Sequence, residues 1–167
     1  KHEGDANPTL HYARDFGFSF VVSFFESQNK CISFIPRLGS SQANGFSTIS
    51  IARDFEKDFS WFFSTLRTLV DKCDARQGGV HFLGSSFLEI TKAFKKPLGW
   101  ITYFSNDYEI PIPDNLEGIE YEHTDKGKYL ILTREDFTTD KEAYEAHKQK
   151  LLEVMEEIKR RVPEYGK

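Results

Sequence analysis

The stretch DFGFSFVVSFFE, residues 15–26, constrains the fold more than any other part of the chain. Phe16, Phe18, Phe20, Val22 and Phe24 alternate with Gly17, Ser19, Val21 and Ser23, a period of two that fits a strand with one heavily buried face. Such a face has to be covered. From Asp54 onward the period changes: Phe55, Phe59, Phe62, Phe63, Leu66, Leu69, Val70 and Cys73 fall on one side of a helix, with Asp54 placed to cap it and Gly78-Gly79 beyond its end. Between these two signals Ser27–Lys30 has hairpin-turn length. CISFIPRL (31–38) alternates up to Pro36, and FSTISIARD (46–54) alternates after a GSSQANG loop. Three strands leading into a helix are therefore expected.

The pattern then recurs. VHFLGSS (80–86) suits a short strand and FLEITKAF (87–94) has weak helical spacing, while GWITYFS (99–105) alternates Trp100, Thr102 and Phe104 against Ile101 and Tyr103. IEYEHT (119–124) and KYLILTRE (128–135) flank Asp125-Lys126-Gly127, so they should pair antiparallel, with Gly127 supplying a positive φ for the turn. Thr139 and Glu142 read as a capping box opening a helix whose apolar face is Tyr144, Leu151, Val154, Met155, Ile158 and Val162, stopped by Pro163. The expected fold is α+β, in the order βββα, a short β/α section, then βββα. It is an antiparallel sheet with two long amphipathic helices packed on it, both on one face. Residues 1–14 read as an N-terminal tail or leading loop. The remainder, residues 15–167 of a 19.4 kDa chain, has the length of one domain.

Composition narrows function mainly by exclusion. The net charge of -4 does not suit a general nucleic-acid coat, which needs a basic face. Cys31 and Cys73 have no metal-ligand or disulfide-framework spacing, so neither a metal nor another cofactor is expected, and a reducing, cytoplasmic setting follows. No apolar run reaches the roughly 18 residues of a membrane span. The phosphate-loop, dinucleotide, serine-hydrolase and zinc-protease signatures are all missing from the sequence. His2, His11, His81, His123 and His147 lie in five separate segments. Of these, only His123, beside Glu122 and Asp125, offers a local acid/base grouping, the basis of an alternative reading as a small enzyme.

One asymmetry stands out. From Pro97 to Asp125 there is no Lys or Arg, yet the segment holds Asp107, Glu109, Asp114, Glu117, Glu120, Glu122 and Asp125. The chain's net -4 is thus the balance of -7 over these 29 residues and +3 over the other 138. Seven like charges repel one another and gain nothing for the fold by gathering, so they are expected to form a docking surface for a basic partner. Glu120 and Glu122, two apart on a strand, share a face. An intracellular protein-interaction module is a further alternative.

Gly99-Trp100-Ile101-Thr102-Tyr103-Phe104-Ser105 resembles the Gly-Trp-x-Thr-Tyr-x-Ser segment of the immunity protein 52 family of bacterial polymorphic-toxin and type VI secretion systems. The helix exit Leu69–Asp74, the glycine hairpin, the Thr133-Arg134-Glu135-Asp136-Phe137 turn and the closing helix follow in the family's order. Lys72-Cys73-Asp74-Ala75 departs from the family's Trp-Asp-Pro exit, keeping only the Asp. The resemblance implies a non-enzymatic protein that binds and neutralises a cognate toxin, of the kind often built on a restriction-endonuclease fold. The basic groove of such a nuclease matches the acidic segment, and Trp100 and Tyr103 belong to the core strand beneath it.

Overall fold

The computed structural model describes residues 58–81, 94, 98–137 and 140–166, and before them the backbone of six short strands. Contacts divide the chain into two compact units, Lys1–Glu56 and Lys57–Lys167, where the length alone suggested one domain from residue 15 on.

The first unit holds β1 (His11–Ala13), β2 (Gly17–Ser19), β3 (Val22–Ser27), β4 (Lys30–Ile35), β5 (Arg37–Leu38) and β6 (Thr48–Ile51). They form two antiparallel sheets, ordered β1-β2-β5 and β3-β4-β6. The long strand expected over 15–26 is thus divided between sheets. Phe18 lies opposite Leu38 and Val22 opposite Phe34, so the register is the same on both sides of Pro36. The two pairings share one register, and residues 20, 21 and 36 between them lie outside the described residues. His11–Ala13, inside the stretch read as a tail, pairs with β2; three residues are too few for their alternation to show in the sequence.

The second unit is built on a four-stranded antiparallel sheet ordered β7 (Gln77–Val80), β8 (Ile101–Ser105), β10 (Gly127–Ile131), β9 (Glu120–His123). Together with its helices this is an α+β fold. Helix α1 (Phe59–Cys73) begins one turn later than Asp54 suggested. The Asp58 side chain caps it by accepting from the Trp61 N–H at 2.9 Å, and Asp74 closes it in the left-handed conformation, φ 48°. Asp54 and Phe55 lie outside the described residues. Helix α2 (Lys141–Arg161) is capped by Asp140, whose carboxylate accepts from Glu142 N–H at 2.8 Å and Ala143 N–H at 3.1 Å. The cap is thus one residue later than expected, and Thr139 lies outside the described residues. A 3-10 turn at Pro163–Gly166 follows and buries Tyr165.

Register fixes the two faces of the sheet. Gly78, Tyr103, Tyr129 and Glu122 lie in one row, and α1 packs on their face. The Phe63 and Tyr129 rings meet at 5.2 Å, Arg67 donates to Glu122 at 2.9 Å, and Leu66 and Val70 lie over Gly78. Gln77, Phe104, Lys128 and His123 point the other way, against the connection between β8 and β9. Tyr108 donates to Gln77 and stacks by Phe104, Lys128 donates to Ile112 C=O, and Tyr121 donates to Pro113 C=O while accepting from Leu116 N–H. The contacts of α2 run to this connection and to the sheet's end: Arg161 to Asn115, Lys150 to Leu132 C=O, and the Met155 sulfur to Leu98 N–H. The two helices therefore do not share one face. Because β8 is followed by β9 in sequence but by β10 in the sheet, its connection must pass over β10, and it covers the face α1 leaves open.

The segment Gly99–Phe104 is buried throughout, and Ser105 is half-buried at its end. Trp100 is 2 % exposed, packs edge-on against Phe59 and Phe137, and donates its indole N–H to Thr133 C=O at 2.8 Å. The buried Thr102 hydroxyl accepts from Gly99 N–H at 2.8 Å. A Cβ on Gly99 would lie 2.2 Å from Val80 O, and one on Gly127 2.2 Å from Phe104 O. Gly127 is thus needed for the close approach of β10 to β8; among the described glycines the positive φ belongs to Gly118. Phe94, at the end of the segment expected as a weak helix, is buried beside Tyr165; residues 82–93 lie outside the described part.

Candidate partner-binding surface

The acids that stand together in sequence are distributed over three places in the fold, and most of them meet a cation. Arg134 forks onto Glu120 and reaches Glu122 at 3.7 Å, and Arg67 on α1 holds Glu122 from the other side. This pairing holds the Glu120 carboxyl below its usual range, chiefly through the hydrogen bonds from Arg134. Asp114, in the connection on the opposite face, pairs with Lys128. Asp107 and Glu109 follow β8 and share Arg76, at 3.4 and 3.8 Å. The Ser105 hydroxyl donates to Asp107 at 2.5 Å and, with Arg76, lowers its carboxyl pKa. Every one of these cations lies outside Pro97–Asp125. The charge run uncompensated along the chain is largely compensated in space, because the sheet sets Arg67, Arg76, Lys128 and Arg134 beside it. Among the described residues Glu117 and Asp125, both exposed, have no ion pair.

One gathering was not legible in the segment itself. Asp71 and Asp74, at the end of α1, come to the same end of the sheet as Asp107, Glu109 and Asp125. Lys126, in the β9–β10 turn, reaches Asp71 at 3.7 Å. Asn106 ties that turn down by donating its side-chain amide to Asp125 C=O and its N–H to Lys126 C=O, each at 2.8 Å. Asp71, Asp107 and Asp74 all act on the Tyr103 hydroxyl, which donates to Lys126 C=O; burial first, then these carboxylates, raises its pKa. Among the described residues three of these five carboxylates meet a cation: Asp107 and Glu109 share Arg76, and Asp71 meets Lys126. The signal for Asp71 and Asp74 was the three-residue link from α1 to β7. It forces the helix end to the start of β7, which the register sets against the end of β8.

Of the acid/base grouping, Glu122 turns away from His123. His123 is exposed on the face of Tyr121, whose ring lies 6.3 Å away, while Glu122 points to the α1 side and is held by two arginines. His81 is a different case. Its imidazole lies where Gly79 and Gly99 leave room: a Cβ on the first would come 2.7 Å from Nε2, and on the second 3.0 Å from Nδ1. Burial drives its pKa down to about 4, opposed by a hydrogen bond to the Leu98 backbone. Among the described residues no group of His, Cys, Asp or Glu could hold a metal, and no helix is long and apolar enough to cross a membrane. Comparisons with protein-family models, curated proteins and solved structures each give no match.

Proposed function

We propose that the chain is an immunity-type protein, a non-catalytic cytoplasmic inhibitor that binds a cognate, basic toxin of nuclease type and neutralises it. The reading joins the resemblance of Gly99–Ser105 to one observation. Five acids from three segments, Asp71, Asp74, Asp107, Glu109 and Asp125, come to one end of the sheet, where Arg76 and Lys126 pair with three of them. An excess of one sign on a rigid platform steers a partner of the other sign and fixes its orientation. A nuclease presents such a partner, because the groove that takes up phosphates has to be basic.

The test is co-expression with the neighbouring open reading frame. Rescue of growth and co-purification as a complex are expected, and reversing Glu109 and Asp125 to Lys should slow association about tenfold at low salt and flatten its salt dependence. A neighbour that is harmless when expressed alone, or a complex indifferent to these reversals at every salt concentration, overturns the reading.

A further inference from the structure

Among the described residues β9 has no strand on its outer side. Thr124 N–H donates to Gly127 C=O at 2.7 Å. With the β9–β10 register, this puts Thr124, Glu122 and Glu120 in the hydrogen-bonded positions toward β10. In an antiparallel ladder the intervening residues turn their N–H and C=O outward. For β9 these are Tyr121 and His123, and no described strand lies beyond them. The side chains set what can pair there. Glu117 before the strand and Asp125 after it are the two acids of Pro97–Asp125 without a described ion pair, and in the sequence they flank β9. Glu120 and Glu122 lie between them on one face. A second copy, pairing antiparallel about an axis normal to the sheet, would set those glutamates against its own, which like-charge opposition disfavours.

Resting on the proposed role in binding a basic partner, we propose that the edge of β9 takes up an extended segment of that partner as a fifth strand. Main-chain hydrogen bonds to Tyr121 and His123 hold the segment, and Lys or Arg residues near its two ends meet Glu117 and Asp125. Such a segment needs about six to eight residues to reach from one carboxylate to the other at strand rise. The other sheet edge, β7, has the sequence QGGV and no charge to select an occupant.

The probe is a blocked octapeptide of alternating threonine and valine with lysine at each end, titrated into the full chain and followed by the amide shifts of residues 120–123. Saturable shifts at Tyr121 and His123 are expected. Binding should weaken at least about tenfold when alternate peptide amides are N-methylated, since each loses a main-chain hydrogen bond. His123→Pro should weaken it comparably while preserving the thermal melt, because the N–H it removes points away from β10. Glu117→Lys with Asp125→Lys, which touches no described ion pair, should transfer the preference to a glutamate-ended peptide. Shifts confined to other residues, equal binding of the N-methylated peptide, or broadening of the same amides by protein concentration alone would each overturn the proposal. If His123→Pro protein still rescues growth against the neighbouring toxin, the edge is not the docking element and the immunity reading stands. If the peptide binds at β9 but the neighbour is harmless, the reverse holds.

Discussion

Lowering the pH should destabilise the protein through His81 before its surface carboxylates titrate fully. The folded imidazole has its pKa lowered from 6.5 to about 4, so the proton prefers the unfolded chain. The stabilising contribution is complete above pH 6.5 and is lost as pH falls toward 4. One proton per unfolding event costs about 1.4 kcal/mol per pH unit in that window. The loss attributable to His81 is therefore about 1.4 kcal/mol at pH 5.5 and about 2.5 kcal/mol at pH 4.5. These are upper values, since the ring keeps some exposure. Against a total stability of about 5–15 kcal/mol this is a large fraction. The assay is urea unfolding followed by tryptophan fluorescence at pH 7.5, 5.5 and 4.5, for the wild type and His81→Gln. Carboxylates titrate equally in both, so the difference between the two curves isolates the histidine. The wild type should lose its advantage over the variant by roughly the stated amounts. Two curves running parallel from pH 7.5 to 4.5 would refute the assignment of a buried, neutral imidazole.

Three further perturbations have worked outcomes. Gly99→Ala drives a Cβ to 2.2 Å from a backbone oxygen that cannot yield, whereas Gly78→Ala meets a leucine methyl at 3.1 Å; the first should cost about 3 kcal/mol or more and the second about 1 kcal/mol or less by chemical denaturation. Trp100→Phe removes the indole bond to Thr133 C=O and part of the packing against Phe59 and Phe137, an expected loss of about 2–3 kcal/mol, read from urea midpoints. Asp140→Ala should lower stability by about 1 kcal/mol as an N-cap loss, while Thr139→Ala changes the thermal midpoint little; equal effects would restore Thr139 as the cap.

The periodic elements were legible because their signals are local. The stripe through Phe59, Phe63, Leu66 and Val70 and the one through Leu151, Val154, Met155 and Ile158 are buried as their spacing required. The hairpin of β9 and β10 lies at its expected turn. Helix starts were misplaced by one to four residues because Asp58 and Asp140 compete with neighbours of equal capping strength, and spacing alone does not rank them. What the sequence did not show was long-range arrangement: which helix covers which face, and which cation reaches which acid. Arg134 lies twelve residues beyond Glu122, and Arg67 lies fifty-five before it. Neither distance along the chain hints that both bind the same carboxylate. The charge run of the acidic segment was legible along the chain, but its net field depends on cations folded in from elsewhere.

The connection between β8 and β9 has a mechanical consequence. It crosses over β10, is gripped there by Lys128 and Tyr121, and is joined to α2 through Asn115 and Arg161. The outermost strand is therefore strapped to the middle of the sheet and to the closing helix. It cannot fray alone, since lifting Tyr121 releases Pro113 and Leu116 as well. In hydrogen exchange the β10-facing amides of Glu120 and Glu122 and the Leu116 amide should open as one cooperative unit, with protection above that of an ordinary sheet margin. A force applied at this edge is carried inward to the core instead of being absorbed by a loose strand.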